Sequence, residues 1–530
     1  MSGIYKAYDI RGIHGSEMVE DDARGIGRAF VEVLADLRGK EPGELTVGLG
    51  RDMRLSAPAM ASALRKGMVE QGARVLDAGM VATEMLYFLV GSRDLDGGAM
   101  VTASHNPAAY TGVKLVREGA LALSGDAGIG EIESLVEAGI PEGTGEGSVE
   151  EVEIAPEFRQ RALSLVDPAA IGPLKVVVDG GNGMAGPMVG PILEELDLEV
   201  IPTYFEPDGN FPDHEPNPLL EENRRAVSAA VTEAGADLAI AWDGDADRCF
   251  FIDGTGAFCD GDFICALLAE AMLARDPGGC VLYDPRSSRA VPDTVAANGG
   301  TTALSRVGHA FFKARMREEE AIFGGEVSGH YYFRDFFNAD SGTLPALLML
   351  EVISRSGKSL AELIEGYRSR YFISGEINSE VGDPQAVIDR VKALHSDGLI
   401  DELDGLSVDY PDWHFNLRAS NTEPLLRLNL ESLVSEADME ERRAALLAEI
   451  RGDSGRSQSC ADGGPGARRP SALDPDPVRR RQGELLPGRR GSADPDRRRA
   501  EVGRLPRRAR EGDRGNRSLS RGPRPDRRDP

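Results

Sequence analysis

Three stretches of this chain repeat one plan. Leu45 to Asp52 (LTVGLGRD), Leu174 to Gly183 (LKVVVDGGNG) and Cys280 to Ser288 (CVLYDPRSS) each run an apolar strand into an acid flanked by Gly, Arg or Ser. Ala-, Leu- or Met-rich sequence that suits a helix follows each, so each reads as a strand–helix unit of the α/β kind. They stand a little over 100 residues apart. Such a pseudo-repeat, in pattern rather than identity, predicts three structurally similar α/β domains. A chain of 530 residues is in any case too long for one core. The expected limits are residues 1–148, 149–254 and 255–368, with a Gly- and Glu-rich linker at 139–147. Residues 369–451 predict a fourth, α+β domain: strand, helix over 384–394, strand, a loop at 418–424, strand over 425–430 and a closing helix over 436–450.

Residues 452–530 are a different polymer. From Arg451 onward there are 22 Arg, no Lys and 12 acids, with about seven large apolar side chains. That is too little apolar surface to offset the entropy of ordering, so a disordered tail is expected. Its Arg, Gly and Pro bias resembles GC-rich coding sequence translated out of frame; the alternative is a genuine basic tail for an acidic partner. The whole chain carries a net charge of −28, so the body ahead of the tail is still more acidic. An acidic body disfavours nonspecific nucleic-acid binding. It also demands that any anionic substrate be met by locally clustered cations. No run of about 18 apolar residues suggests a membrane span. The start, MSGIYKAYDIRG, lacks a basic segment followed by an apolar core. Five scattered cysteines without a C-x-x-C pair argue against a disulfide framework and a structural zinc site. A cytoplasmic protein is expected.

Four stretches carry chemistry. Thr102 to Pro107 (TASHNP) follows an apolar run and can present the Ser104 hydroxyl to a pocket, although Ser before Asn-Pro is also ordinary turn chemistry. Trp242 to Arg248 (WDGDADR) places Asp243, Asp245 and Asp247 at alternate positions between two apolar strands. Three oxygen donors in a tight loop suit one hard divalent cation, Mg²⁺ foremost; a solvated acidic turn is the alternative. An EF-hand would need Gly and Glu at the sixth and twelfth positions, where this chain has Arg248 and Gly254. Gly324 to His330 (GGEVSGH) puts Glu326 and Ser328 on alternate positions of an extended segment, which suits two adjacent sugar hydroxyls. Arg418 to Pro424 (RASNTEP) offers a guanidinium, hydroxyls, an amide and turn N–H groups, the makings of a phosphate cradle. Gly181 to Gly186 matches G-x-G-x-x-G, with Glu206 about twenty residues on. No second nucleotide-binding half accompanies it, so these glycines are read as helix-on-strand packing rather than a dinucleotide site. No P-loop motif occurs.

These motifs, in this order, resemble those of the α-D-phosphohexomutases. Tyr8 to Gly12 (YDIRG), TASHNP, DGDADR, GEVSGH and RASNTEP are joined by Gly50-Arg51-Asp52, Tyr110 to Lys114, Pro207 to Pro218 and Val307 to His309. The resemblance covers roughly residues 4 to 450 and looks most like the phosphomannomutase/phosphoglucomutase branch. Phosphoglucosamine mutases, the alternative, tend to carry Gln and Gly where this chain has Val327 and Asn421. A catalytically silent phosphosugar-binding protein is a further alternative.

The resemblance implies four domains around a central cleft, each sending one loop to it. It implies a phosphoserine at Ser104 and Mg²⁺ held by Asp243, Asp245, Asp247 and a phosphate oxygen on Ser104. It further implies a phosphorylated hexose substrate and a hexose 1,6-bisphosphate that is both intermediate and activator. Arg248 and His105 would neutralise the transferring group. Lys114 assisted by Arg11, or else His309, would be the general base that takes the attacking hydroxyl's proton. Glu326 and Ser328 would hold the sugar's 3- and 4-hydroxyls, with Tyr8 and His330 also on the substrate. Arg418, Ser420, Asn421 and Thr422 would grip the non-reacting phosphate. A monomer or weak dimer is expected. The family often has Pro-Thr-Pro where this chain has Val81-Ala82-Thr83-Glu84, a departure expected to touch none of the chemistry.

Overall fold

The computed structural model describes residues 3–125, 127–143, 145–419 and 425–452. The first three domains share one topology. In the first, the parallel strands Thr46–Arg51, Arg74–Met80 and Gly97–Val101 alternate with the helices Ala57–Glu70 and Thr83–Ser92. The second has Leu174–Asp179, Leu198–Thr203 and Leu238–Trp242 with the helices Ala185–Leu193 and Glu221–Ala234. The third has Cys280–Tyr283, Thr301–Leu304 and Phe323–Gly325 with Ala290–Ala297 and His309–Glu318. Each third strand then turns into an antiparallel fourth: Tyr110–Arg117, Cys249–Asp253 and Tyr331–Phe333. The sheet order, fourth–third–first–second, is the same in all three. The expected pseudo-repeat is therefore a repeat of connectivity.

The acid that ends each repeated strand has a common task. Asp52 Oδ1 accepts the Arg54 N–H at 2.9 Å, Asp179 Oδ1 the Gly181 N–H at 2.9 Å and Asp284 Oδ1 the Arg286 N–H at 2.8 Å. A carboxylate that bonds its own backbone two residues on turns the chain out of the strand toward the helix.

The sheets run past two of the expected limits. Ser148–Glu151 pairs with Arg74–Met80 in the first sheet, and Phe258–Cys259 with Cys249–Asp253 in the second. The 139–147 segment is no free linker. The Gly145 and Gly147 amides donate to Glu70 and Val69 carbonyls, and Arg28 holds the Pro141 carbonyl at 2.6 Å. The fourth domain holds the expected helices Pro384–Leu394 and Glu436–Arg451 against an antiparallel sheet built on Trp413–Ala419 and Leu425–Ser432.

Two kinds of interface join these units. The helix Thr83–Ser92 is buried from Thr83 through Val90, and Phe88 packs on Phe158 and Phe337 of later domains. A helix buried on every side is a core element, so the first three domains are joined as a core is. The fourth domain has its own apolar cluster around Val391, Phe415 and Leu428. Tyr371, Ile373 and Leu433 reach the neighbouring core, but most of the fourth domain's contacts with the third, among the described residues, are polar: Arg289 reaches the Asp409 carboxylate at 2.9 Å and the Tyr410 carbonyl at 2.6 Å, and Val307 N–H donates to Asp404 at 2.7 Å. A polar contact of this sort permits relative motion more readily than a shared core. Among the described residues no helix is long and apolar enough to cross a membrane, and the four cysteines are free.

Candidate active site

The loops 102–109, 243–248 and 326–330 occupy one topological position in three domains, the exit from the third parallel strand. Loops at the carboxyl ends of parallel strands are where α/β sheets bind ligands. Here the three are in direct contact.

Ser104 sits in a left-handed backbone conformation, φ 50°. For a residue other than Gly this costs about 1–3 kcal/mol and needs surrounding restraint. Thr102 Oγ1 accepts the Ser104 N–H at 2.9 Å, and Arg54 donates to the Ser104 carbonyl at 2.8 Å. The same guanidinium bonds the carbonyls of Asn106, Pro107 and Tyr110, so it clamps the whole turn. The Ser104 hydroxyl donates to Asp243 Oδ2 at 2.7 Å, 139 residues away in sequence, and lies 3.3 Å from His105 Nδ1. Burial, followed by Arg248 and Arg11, pushes the His105 imidazole well below its usual range, so it is neutral. Arg11 holds the Asn106 side chain at 2.6 Å and pairs with Asp9.

Asp243, Asp245 and Asp247 are all at most 1% exposed, and their ligand atoms lie within 4.8 Å of one another. Lys114 bridges Asp245 Oδ2, at 2.7 Å, and Asp247 Oδ2. Burial opposes the charge on Lys114, but Asp245 and Asp247 override it and hold the ammonium protonated. Burial and its two neighbouring carboxylates drive the Asp243 carboxyl well above its usual range. Asp245 Oδ1 and Asp247 Oδ1 are buried with no hydrogen-bond partner. Unpartnered buried carboxylate oxygens, all from a hard oxygen donor set, fit a divalent cation of the Mg²⁺ kind.

Arg248 ties this loop to the third domain. Its backbone N–H donates to Asp243 Oδ1 at 3.2 Å, and its Nε donates to His330 Nε2 at 3.1 Å. His330 Nδ1 faces Ser328 Oγ at 3.1 Å and Glu326 Oε2 at 3.4 Å. Glu326 also accepts the Gly308 N–H at 2.9 Å and the Tyr332 hydroxyl at 2.6 Å. Burial would raise its pKa, but His330, Arg286 and Tyr332 together hold it down at about 2. The result is a charged acceptor kept ionised inside the protein.

Tyr8 and His309, from the first and third domains, flank the loop 326–330. The Tyr8 hydroxyl donates to the Val307 carbonyl at 3.1 Å, and the two rings are 6.0 Å apart. His309 Nδ1 is buried without a hydrogen-bond partner; burial, then Lys313 and Lys114, keep the ring neutral. Arg418 stands 3.5 Å from Glu376, which also meets Arg427 at 3.2 Å and Arg286 at 3.9 Å. Three arginines, Arg286, Arg418 and Arg427, thus gather around this one carboxylate. Ser420, Asn421 and Thr422 lie outside the described residues.

Several contributors escaped the sequence reading. Arg54 and Arg286 are equivalent in the repeat, two residues beyond Asp52 and Asp284, and the shared D-x-R spelling was the available signal. Arg286 grips Asp284 with two bonds of 2.8 Å and stands 3.8 Å from Glu326. The 81–84 stretch does touch the chemistry, contrary to expectation. Thr83 Oγ1 donates to Asp245 Oδ2 at 2.6 Å, and Glu84 is buried against Ser341 and Thr343 of the third domain. Nothing local in the sequence distinguishes Thr83 from a helix-capping residue. The G-x-G-x-x-G glycines serve packing: a Cβ on Gly186 would lie 1.8 Å from the Phe205 carbonyl oxygen, and one on Gly183 would lie 2.6 Å from that of Gly244.

All four domain descriptions of one family match the chain. They are phosphoglucomutase/phosphomannomutase α/β/α domains I, II and III at residues 3–141, 157–256 and 260–371, and the C-terminal domain at 376–449. The chain belongs to the phosphoglucomutase/phosphomannomutase family. A phosphomannomutase of Salmonella montevideo is 45% identical over 453 residues, spanning 84% of this chain and 98% of that protein. A protein of Xanthomonas campestris pv. campestris (strain B100) described as phosphohexose mutases is 46% identical over 452 residues, spanning 84% and 99%. A solved structure of a phosphoglucomutase/phosphomannomutase family protein from Burkholderia thailandensis superposes with a TM-score of 0.78 at 33% identity, covering 86% of this chain and 98% of that one. The protein is an isomerase of the phosphohexomutase type.

Proposed function

We propose that the enzyme interconverts mannose 6-phosphate with mannose 1-phosphate, and glucose 6-phosphate with glucose 1-phosphate. It does so through a phosphorylated Ser104 and a hexose 1,6-bisphosphate. The observation that carries this reading is the placement of Ser104, in a clamped left-handed turn with its hydroxyl on a buried aspartate of the next domain. A serine hydroxyl bonded to a carboxylate, without a Ser–His–acid relay, is better suited to carry a phosphoryl group than to attack as a free nucleophile.

Asp243, Asp245 and Asp247 are the residues to hold Mg²⁺, which when bound supplies positive charge to a transferring phosphoryl group. The chain's own cations share that task. Arg248, fixed by His330 and Asp243, and Arg11, fixed by Asp9, flank the serine loop. Lys114, held protonated by Asp245 and Asp247, serves as counter-charge. His309, neutral and with an open ring nitrogen, accepts the proton of the attacking hydroxyl.

Glu326 and Ser328 bind the sugar's 3- and 4-hydroxyls. Mannose and glucose differ only at C2, so a site that reads O3 and O4 accepts both. Arg418, with Ser420, Asn421 and Thr422, binds the phosphate that does not react. The polar seam between the third and fourth domains lets the latter close over the cleft.

The test treats the protein with glucose 1,6-bisphosphate, reads phosphate on Ser104 by intact-mass and peptide analysis, and then assays mannose 1-phosphate, glucose 1-phosphate and glucosamine 1-phosphate. One added phosphate on Ser104 and turnover of the first two sugars are expected. An unmodified Ser104 in an active enzyme overturns the relay. A preference for the amino sugar makes the enzyme a phosphoglucosamine mutase.

A further inference from the structure

Asp245 treats its two oxygens unequally. Oδ2 accepts three hydrogen bonds: Thr83 Oγ1 at 2.6 Å, Lys114 Nζ at 2.7 Å and Thr102 Oγ1 at 3.1 Å. Oδ1 is buried and has none. Both threonines belong to the first domain, 162 and 143 residues from Asp245, and are at most 2% exposed.

Each threonine is itself fixed. Thr83 begins the helix Thr83–Ser92, and its backbone N–H donates to the Asp245 carbonyl at 3.1 Å. It therefore holds both the main chain and the side chain of that residue. Thr102 directly follows the strand Gly97–Val101, and its backbone N–H donates to the Gly112 carbonyl at 3.1 Å. A hydroxyl has one hydrogen and two acceptor sites. Thr102 gives its hydrogen to Asp245 and accepts the Ser104 N–H at 2.9 Å. One hydroxyl oxygen thus joins the backbone of the serine turn to the carboxylate of the aspartate loop.

We propose that Thr83 and Thr102 are positioning residues: by saturating Asp245 Oδ2 they turn Oδ1 alone toward the divalent cation, and they set the register of Ser104 against that ion. This rests on reading the three aspartates as a cation site. The physical basis is that a carboxylate anchored at one oxygen cannot rotate to offer both, so its free oxygen is organised before the ion arrives. Groups that orient a metal ligand in this way contribute about 10–100-fold to metal affinity.

The test is Mn²⁺ binding to the metal-free, full-length protein without substrate, by calorimetry and by the electron paramagnetic resonance of free Mn²⁺. Thr83→Val keeps the shape and removes the hydroxyl; Thr83→Ser keeps the hydroxyl and removes a methyl group. Weakening by about tenfold or more is expected in Thr83→Val, with near wild-type affinity in Thr83→Ser. A packing role would rank the two the other way. Thr102→Val is expected to weaken binding likewise. Affinity within twofold of wild type in Thr83→Val, with wild type binding normally, overturns this proposal alone. A wild-type protein that binds no Mn²⁺ overturns the cation site and this proposal with it.

Discussion

Arg54 offers a demanding test of how the serine turn is held. It is 1% exposed and donates to four main-chain carbonyls of the turn, those of Ser104, Asn106, Pro107 and Tyr110, at 2.6–3.2 Å. Its Nε pairs with the fully buried Asp52 at 3.2 Å. Arg54→Met preserves most of the apolar volume but strands those carbonyls and leaves Asp52 without its counter-charge. Breaking a buried ion pair from one side costs about 3–5 kcal/mol, and the orphaned carbonyls add to that. At about 1.4 kcal/mol per factor of ten, local opening of the turn should increase by at least about a hundredfold. Arg54→Lys should recover little, because a single ammonium cannot span four carbonyls set out for a planar fork. Hydrogen exchange resolved to a peptide over 102–117 is the measurement, since a multidomain chain has no single unfolding free energy. Exchange within threefold of wild type in Arg54→Met would refute the clamp.

Other consequences are as direct. Ser104→Ala should lower turnover by on the order of 10³-fold or more while hexose phosphate still binds, measured by coupled assay and calorimetry; near-normal turnover removes the phosphoserine. Asp245→Asn should weaken Mg²⁺-dependent activity, and full activity of the wild type in excess chelator would exclude the cation. Glu326→Gln should lower kcat/KM by about 10–100-fold, the worth of hydrogen bonds to a charged acceptor; a 3-deoxy substrate analogue should lose its disadvantage in that variant. Burial, opposed by Ser341 and Thr343 and helped by Asp247, raises the Glu84 carboxyl to about 7. The folded protein therefore keeps a proton that the unfolded chain has lost between about pH 4.5 and 7. Stability should fall as pH rises through that window, by about 3 kcal/mol from this group. Asp262 and Glu431, raised to about 7 chiefly by burial, act in the same direction. Glu84→Gln should flatten the decline of the thermal midpoint between pH 5 and 8, and an unchanged slope would rule this out.

Much of the site was readable from the chain because its chemistry is local. Asp243, Asp245 and Asp247 share one hairpin loop, as do Glu326, Ser328 and His330. A period-2 pattern between apolar strands is enough to aim such neighbours together. The repeated strand–acid–helix units likewise announced three α/β domains, since hydrophobic periodicity and the turn acid act over a few residues. Their limits were harder to read. Ser148–Glu151 is exposed and lacks an apolar face, so nothing local marks it as the sixth strand of the first sheet. The 139–147 segment is rich in Gly and Glu, as linkers are, but the carbonyls of Val69 and Glu70 pin it.

The sequence by itself singled out the groups proposed to bind a cation, a sugar and a phosphate. Tertiary structure alone decided how those groups are braced. Thr83 meets Asp245 across 162 residues, Arg248 meets His330 across 82, and Glu84 meets Ser341 across 257. A threonine at a helix start or a glutamate after it carries no mark of such a partner. These bonds exist only because the first three domains pack against one another. Once buried there, Thr83, Glu84 and Arg248 are partnered from another domain, because leaving such a group unpaired costs more than the bond itself contributes.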